Sequence, residues 1–527
     1  MEYKKQIWCN NHDVRLAMTE GCRPMQHNID WNARIPYFIN LLKDGRFDNY
    51  HHKSYSAAHI PGRWLGPLLR AKHEHGVAVD EDIVNLLAEC TYWIFDDKAG
   101  LPLSLDLDTM RPTNMADLHN LREYMHALYA LMRYRADDRA HNIAMRMMGT
   151  VNKYFDASCN IWRAVDYEKD TGIKTYTAPI KAQDTKKYYL PSSFGRYIEP
   201  LVKLYAHCGI KEAMDQAVLL KECVLKYALR GENWYTPDKL GAHIHSITSM
   251  ISSLALFSKH NYDIDAMAAA EKFLCTAEND AFLDFGWSIE NLYSTGISGE
   301  INNTSDLVKT YLLMGEKQNK KHYHKAERMV RGHFLPAQLL DDELLSTSVS
   351  GEGEPYMKGA FGFPTPYGHE VSPGKNICYN WDITGGGVDG LLEVMHHTAT
   401  ENGDITEINM LFGCDTGNVR ITDPYINNNV LVINNYSGAN RRIKVNLSDT
   451  LKVETIIGAT PEQYVFDNEG INFHDSSHEI KVVLSMDKKI KDYHFRDKLI
   501  RMEWTGDMIS AANRDVGRLR FFKTFDE

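Results

Sequence analysis

The chain has 527 residues and carries 59 Lys plus Arg against 70 Asp plus Glu, a net charge of −11. That length buries a large core without metal or disulfide staples, and the acidic balance disfavours a nucleic-acid or anionic-membrane partner. Nine scattered cysteines with no CxxC pair read as buried free thiols in a reducing compartment, not as a disulfide framework or zinc site.

The start, MEYKKQIWCNNHD, has no apolar stretch behind its basic residues, and no run of eighteen apolar residues occurs anywhere. Neither a signal peptide nor a membrane-spanning helix is expected, which points to the cytoplasm, or to the periplasm if a leader has been removed. The many Tyr, Phe, Trp and His rings suit stacking on sugar faces, although core packing accounts for most of them.

Residues 1–59 are expected to form an N-terminal segment that packs on a later β-domain. From 60 to 400 the apolar period is helical, and the segments pair. IPGRWLGPLLRAKHEHG is followed by DEDIVNLLAECTYWIF, and four further pairs and an eleventh helix follow. Helix starts near 61, 115, 191, 241, 303 and 386 suit six hairpins, which can close into an (α/α)6 toroid with inner helices around a central cavity. The connections 157–190, 280–301 and 341–384 are longer than hairpins require, so the site is expected there. After about 401 short strand-like runs separated by turn formers predict an antiparallel β-sandwich to 527.

The densest polar stretch is DFGWSIENLYSTGISGEINNTSD, residues 284–306. Its carboxylates Asp284, Glu290, Glu300 and Asp306, beside Trp287, Tyr293 and Asn302, could form a sugar site, because glycosidic cleavage uses one protonated and one ionised carboxyl group. Trp287, three residues before Glu290, is expected to desolvate that carboxyl and keep it protonated. Asn303, Thr304 or Ser305 is expected to cap the following helix, with Asp306 favouring its positive end. His243 and His245, two apart at a helix start, should point to different faces, at most one toward the cavity. Arg122 and Arg196 enter inner helices and could hold an acidic sugar, or form internal salt bridges with Glu123 and Glu199. Tyr367 and Asp382 lie among turn-forming glycines and prolines. The GGG run at 385–387 lacks the rest of a phosphate-loop pattern.

SGEINNTSDLVKTYLLMG followed by YHKAERMVRGHFLPAQL resembles segments of glycoside hydrolase family 127, the β-L-arabinofuranosidase group, over residues 60 to 520. The resemblance implies a substrate-binding His243 and an acid/base Glu290 in GWSIEN. It also implies a zinc-thiolate cluster, but the family's Glu-x-Cys is here Glu300, Ile301, Asn302, and its paired cysteines are replaced near Ile383, Thr384 and Gly385. No zinc chemistry carries over, and no metal or cofactor is expected. Two family histidines fall on Arg122 and Arg196, a swap that suits an anionic sugar.

The expected function is a glycoside hydrolase acting on a plant-type or bacterial saccharide, with an acidic sugar or an arabinofuranoside as candidate substrate. Glu290 would be the acid and Glu300 the base or nucleophile. His243, Arg122, Arg196, Trp287, Asn302, Tyr367 and Asp382 would bind the saccharide, the only partner expected; the sequence does not give the oligomeric state. The alternatives are a uronic-sugar lyase or isomerase using His243 with Tyr293 or Tyr367, and a non-catalytic sugar-binding relative.

Overall fold

The computed structural model describes residues 13–43, 46–176, 191–229, 240–340, 355–370, 377–437, 441–474, 478–514, 516 and 519–526. Twelve helices among them build a closed ring. They are α1 (Val14–Gly21), α2 (Ile60–His75), α3 (Glu81–Ile94), α4 (Leu121–Arg135), α5 (Asp138–Tyr154) and α6 (Arg196–Cys208). The second half is α7 (Lys211–Tyr227), α8 (Ile244–Asn261), α9 (Ile264–Ala277), α10 (Ile301–Lys317), α11 (Lys321–Met329) and α12 (Trp381–Thr398).

The even-numbered helices are the inner ones. Each packs on the next, and α12 returns to α2, which closes an (α/α)6 toroid. Each odd-numbered helix lies outside an inner neighbour: α3 on α2, α5 on α4, α7 on α6, α9 on α8, α11 on α10 and α1 on α12. The N-terminal segment thus differs from expectation. Val14, Ala17 and Met18 of α1 are buried in the helical core, and the hairpin of β1 (Ile39–Lys43) and β2 (Arg46–Tyr50) is extended by β3 (Ile377–Asn380), just before α12. An inner helix without a sequential outer partner needs its apolar back covered, and α1 covers it.

Close approach within the ring depends on glycine at two places. A Cβ on Gly62 of α2 would lie 1.6 Å from the Glu123 carbonyl oxygen on α4, and one on Gly386 would lie 2.0 Å from Asn302 Oδ1 on α10. The triple glycine is therefore a packing face that brings α12 against α2 and α10.

Beyond the ring, strands from Ala399 to Met486 form two five-stranded sheets. Ile408, Ile443 and Phe473 of one share a single core with Ile421, Ile433 and Val482 of the other. Pairing is antiparallel except between Ile405–Ile408 and Arg442–Asn446, which run parallel. A third sheet, of Lys488–Phe495, Lys498–Thr505, Met508–Ala512 and Lys523–Thr524, belongs to the toroid's core instead, through Phe495, Met502 and Trp504. Fully buried Arg331, beyond α11, joins ring to sheets by donating to Glu327 and Asp423 at 2.8 Å each, under the rings of Phe412 and Tyr425.

Candidate active site

The two rings of helices begin differently. Outer helices α1, α3, α5 and α9 are capped by Asp13, Asp80, Asp137 and Asp263, whose carboxylates accept a first-turn N–H. The inner helices are preceded by His59, Asn120, Gly195, His243, Glu300 and Asn380, none of which makes a side-chain cap bond. Six positive helix ends thus meet at one rim, and polar side chains there are left for other work.

Glu300, which precedes α10 at that rim, is 4% exposed. Its Oε1 accepts from Asn302 Nδ2 at 2.9 Å and lies 3.4 Å from His245 Nδ1. Oε2 lies 3.5 Å from His243 Nε2 and has no hydrogen-bond partner. The Asn302 amide also donates to Asp382 Oδ2 at 3.1 Å, so a single NH2 group holds two carboxylates. Asp382 in turn faces His59 Nε2 at 3.8 Å, and its Oδ1 is buried without a partner. Burial raises the Asp382 pKa, but His59, Arg63 and Asn302 outweigh it and hold the carboxyl below its ordinary value, ionised.

The proton on His245 can be placed by elimination. Arg63 lies 2.9 Å from Nε2 and can only donate. Burial, then Arg63, Arg196 and Arg122, hold the imidazole well below its ordinary pKa, so it is neutral and its one proton sits on Nδ1, facing Glu300. His119 is fixed likewise, with Arg196 donating to its Nε2 at 2.8 Å. Aromatic rings line this side: His59 and His119 are parallel at 5.8 Å, Tyr55 lies 5.2 Å from His59, and His243 follows at 6.3 Å from His119. The His243 side chain is 41% exposed and marks the opening.

Several expectations change. His243 and His245 both reach Glu300, because His243 precedes the helix in extended backbone and the helical angle between i and i+2 does not apply. The helix begins at Ile301, so Asn303, Thr304 and Ser305 are not caps; they bond to Ile289, Gly286 and Gly386 carbonyls. Asp306 is buried in the second turn against His245 and Lys309. The Trp287 indole is fully buried, donating to the Pro364 carbonyl at 3.2 Å and meeting Phe495 edge-on in the core.

Arg122 and Arg196 bind no surface group. Arg122 donates twice to Glu199, at 2.7 and 3.1 Å, and Arg196 bonds to Glu123, all four side chains being buried. The salt-bridge alternative is the one realised, because a guanidinium inside the ring requires a carboxylate beside it. Tyr367 is buried under Arg514, 5.5 Å from its guanidinium, in a crevice with Ile297 and outside the Glu300 cluster. Half-buried Glu290 adjoins the cluster through its backbone: its carbonyl accepts the first N–H of α8, from Ile244, at 3.1 Å.

His59, Arg63 and Tyr55 were not anticipated. The available signal was positional, since His59 precedes α2 as His243 precedes α8. Of the long connections, 280–301 supplies Glu300, while residues 177–190, 341–354 and 371–376 lie outside the described residues.

His243, His245 and Glu300 each offer a ligand atom within 4.8 Å of the others. The donor set does not fit a divalent cation as arranged, because Arg63 holds Nε2 of His245 and binding through Nδ1 would require an imidazolate. Nor do the thiols of the GH127 cluster have counterparts: Asn302 holds the carboxylates, and Thr384 hydrogen-bonds to Phe361.

No family profile and no curated protein sequence matches the chain. Solved structures do. A GH127 β-arabinofuranosidase is similar over 96% of this chain and 83% of its own, with 13% identity and a TM-score of 0.58. A GH127 β-L-arabinofuranosidase from Geobacillus stearothermophilus T6 covers 93% and is itself covered over 80%, with 11% identity and a TM-score of 0.54. A third structure, described as a glycoside hydrolase, covers 96% and 83% at 9% identity and a TM-score of 0.58. At these identities the likeness is one of fold.

Proposed function

We propose that the chain is a glycoside hydrolase whose reaction centres on Glu300. The observation that carries this reading is the asymmetry of its carboxylate. Oε1 is held by Asn302 and faces the Nδ1–H of His245. Oε2 is free of hydrogen bonds and turned toward exposed His243. Such a group can act as nucleophile on an anomeric carbon, or as base toward a water. Glu290, half-buried beside the opening, is the proton donor to the leaving oxygen. His243, Asn302 and the unpartnered Oδ1 of Asp382 bind sugar hydroxyls, and the Tyr55, His59 and His119 rings supply a face for the sugar.

The Asn302 bridge favours a second assignment, with Glu300 as proton donor and ionised Asp382 as nucleophile or base. A lyase is less well supported, because elimination needs a cation for the enolate, while Arg122 and Arg196 are engaged with carboxylates and Arg63 with His245. The fold neighbours' names make a β-L-arabinofuranoside the first candidate substrate; the uronic glycosides expected from the sequence are the second. The test is hydrolysis of a panel of aryl α- and β-glycosides that includes both. Turnover abolished in Glu300→Gln supports the reading, and turnover of none of the panel, with uronic β-elimination instead, would replace it.

A further inference from the structure

The inner helices also end together, at the opposite mouth of the ring, and there they enclose a cavity of about 370 Å³. That volume is within the range of small-molecule sites. The cavity lies behind the Glu300 cluster and shares Arg63 with it: Arg63, Arg122 and Glu199 line its inner end, and neither Glu300 nor His243 lines it. Seven Arg and Lys side chains and four Asp and Glu line its wall, and Glu123, Asp306 and Glu316 pair with several of the cations from behind it.

Most of these charges are matched. Lys203 pairs with Glu199 at 2.9 Å, and Lys309 with Asp389 at 3.2 Å. Arg133, at the outer edge, makes no ion pair or hydrogen bond among the described residues. Beside it stand His207, His260 and His396. His207 is held down to about 4 by burial and then by Arg133, Lys203, His260 and Arg70, so it is neutral and can offer a ring N–H beside the Arg133 cation. Cations at helix C-termini commonly offset the carbonyl end of the dipole. Here the carbonyls of three inner helices are already met by backbone N–H groups, those of Gly76, Ala136 and Gly209, leaving the side chains available for a ligand.

We propose that this cavity binds a small, multiply charged anion of the phosphate or carboxylate class, held by Arg133, Lys203 and the flanking histidines. The anion would supply the partner that Arg133 lacks, and no chemistry at Glu300 is required for it to bind.

Titration calorimetry on the full chain tests this with inorganic phosphate, citrate and neutral maltose as probes. Saturable binding of phosphate, citrate or both at one site per chain is expected, with maltose silent. Arg133 is exposed, so Arg133→Ala should fold normally, as circular dichroism would check, and weaken the anion at least tenfold. Lys203→Met gives an independent second variant, and Glu300→Gln should bind the anion unchanged, so this test stands apart from the hydrolase reading. No saturable binding of either anion, or equal affinity in wild type and both variants, would overturn the proposal.

Discussion

Arg63 donates to Nε2 of His245 at 2.9 Å, and from that contact the proton on the opposite nitrogen, and its direction toward Glu300, follow. The pair links the first inner helix to the fourth across the ring. In Arg63→Met the imidazole is free to take either tautomer, and Glu300 loses a fixed donor. The facing N–H lies 3.4 Å from the carboxylate, so losing its orientation costs about 0.5–1.5 kcal/mol and turnover should fall roughly 2- to 12-fold. Nitrogen-15 NMR of His245 checks the cause: the Nδ1-protonated form is expected in the wild type, and an Nε2-protonated form there would contradict the assignment.

Arg196→Met leaves Glu123 charged inside the ring and should cost about 3–5 kcal/mol of stability, as removing one member of a buried pair does. Adding Glu123→Gln should recover part of that loss. Denaturant unfolding measures both, and activity on acidic and neutral saccharides should fall together. A selective loss on acidic substrates at unchanged stability would return Arg196 to the binding site.

The same pair predicts a pH dependence. Burial raises the Glu123 pKa, but Arg196, His59, Arg63 and Arg122 outweigh it and hold it well below the ordinary carboxyl range. A depressed carboxyl contributes its stability in full above its unfolded pKa and loses it as pH falls, here from about pH 5 downward. The urea midpoint should therefore drop between pH 6 and pH 3, and drop less steeply in Glu123→Gln.

Chelation should leave activity unchanged, because Arg63 holds the nitrogen through which neutral His245 would bind a metal. Activity lost to EDTA and restored by zinc would show that Arg63 swings aside and that His243, His245 and Glu300 are ligands.

The ring was legible because its signal is local and repeated: apolar residues at helical spacing, with inner starts expected at 61, 241 and 303 and found at 60, 244 and 301. The role of α1 was not legible. Eight residues remote in sequence carry no mark of the helix they cover, and only closure of the ring leaves α12 in need of them. The site was half legible. Glu300, Asn302, His243 and Asp382 stood out as polar groups at helix starts and in long loops, and they do converge. Arg122 and Arg196 looked the same in sequence, but a first-turn residue one helical step further round faces the neighbouring inner helix, where a carboxylate meets it. Trp287 is buried between Pro364 and Phe495, contacts remote in sequence that no local pattern marks.

The account rests on Glu300, and the most direct test compares two substrates in two variants. Natural glycosides with poor leaving groups and an activated aryl glycoside of the same sugar are assayed with Glu300→Gln and Glu290→Gln, each checked for folding. Glu300→Gln should abolish turnover of both. Glu290→Gln should slow the natural glycoside by about a hundredfold to ten-thousandfold and spare the aryl glycoside, which needs little protonation. If Glu300→Gln spares the aryl glycoside while Asp382→Asn is inactive on both, the roles belong to the Glu300–Asp382 pair; if Glu300→Gln keeps full activity on both, the central claim is wrong.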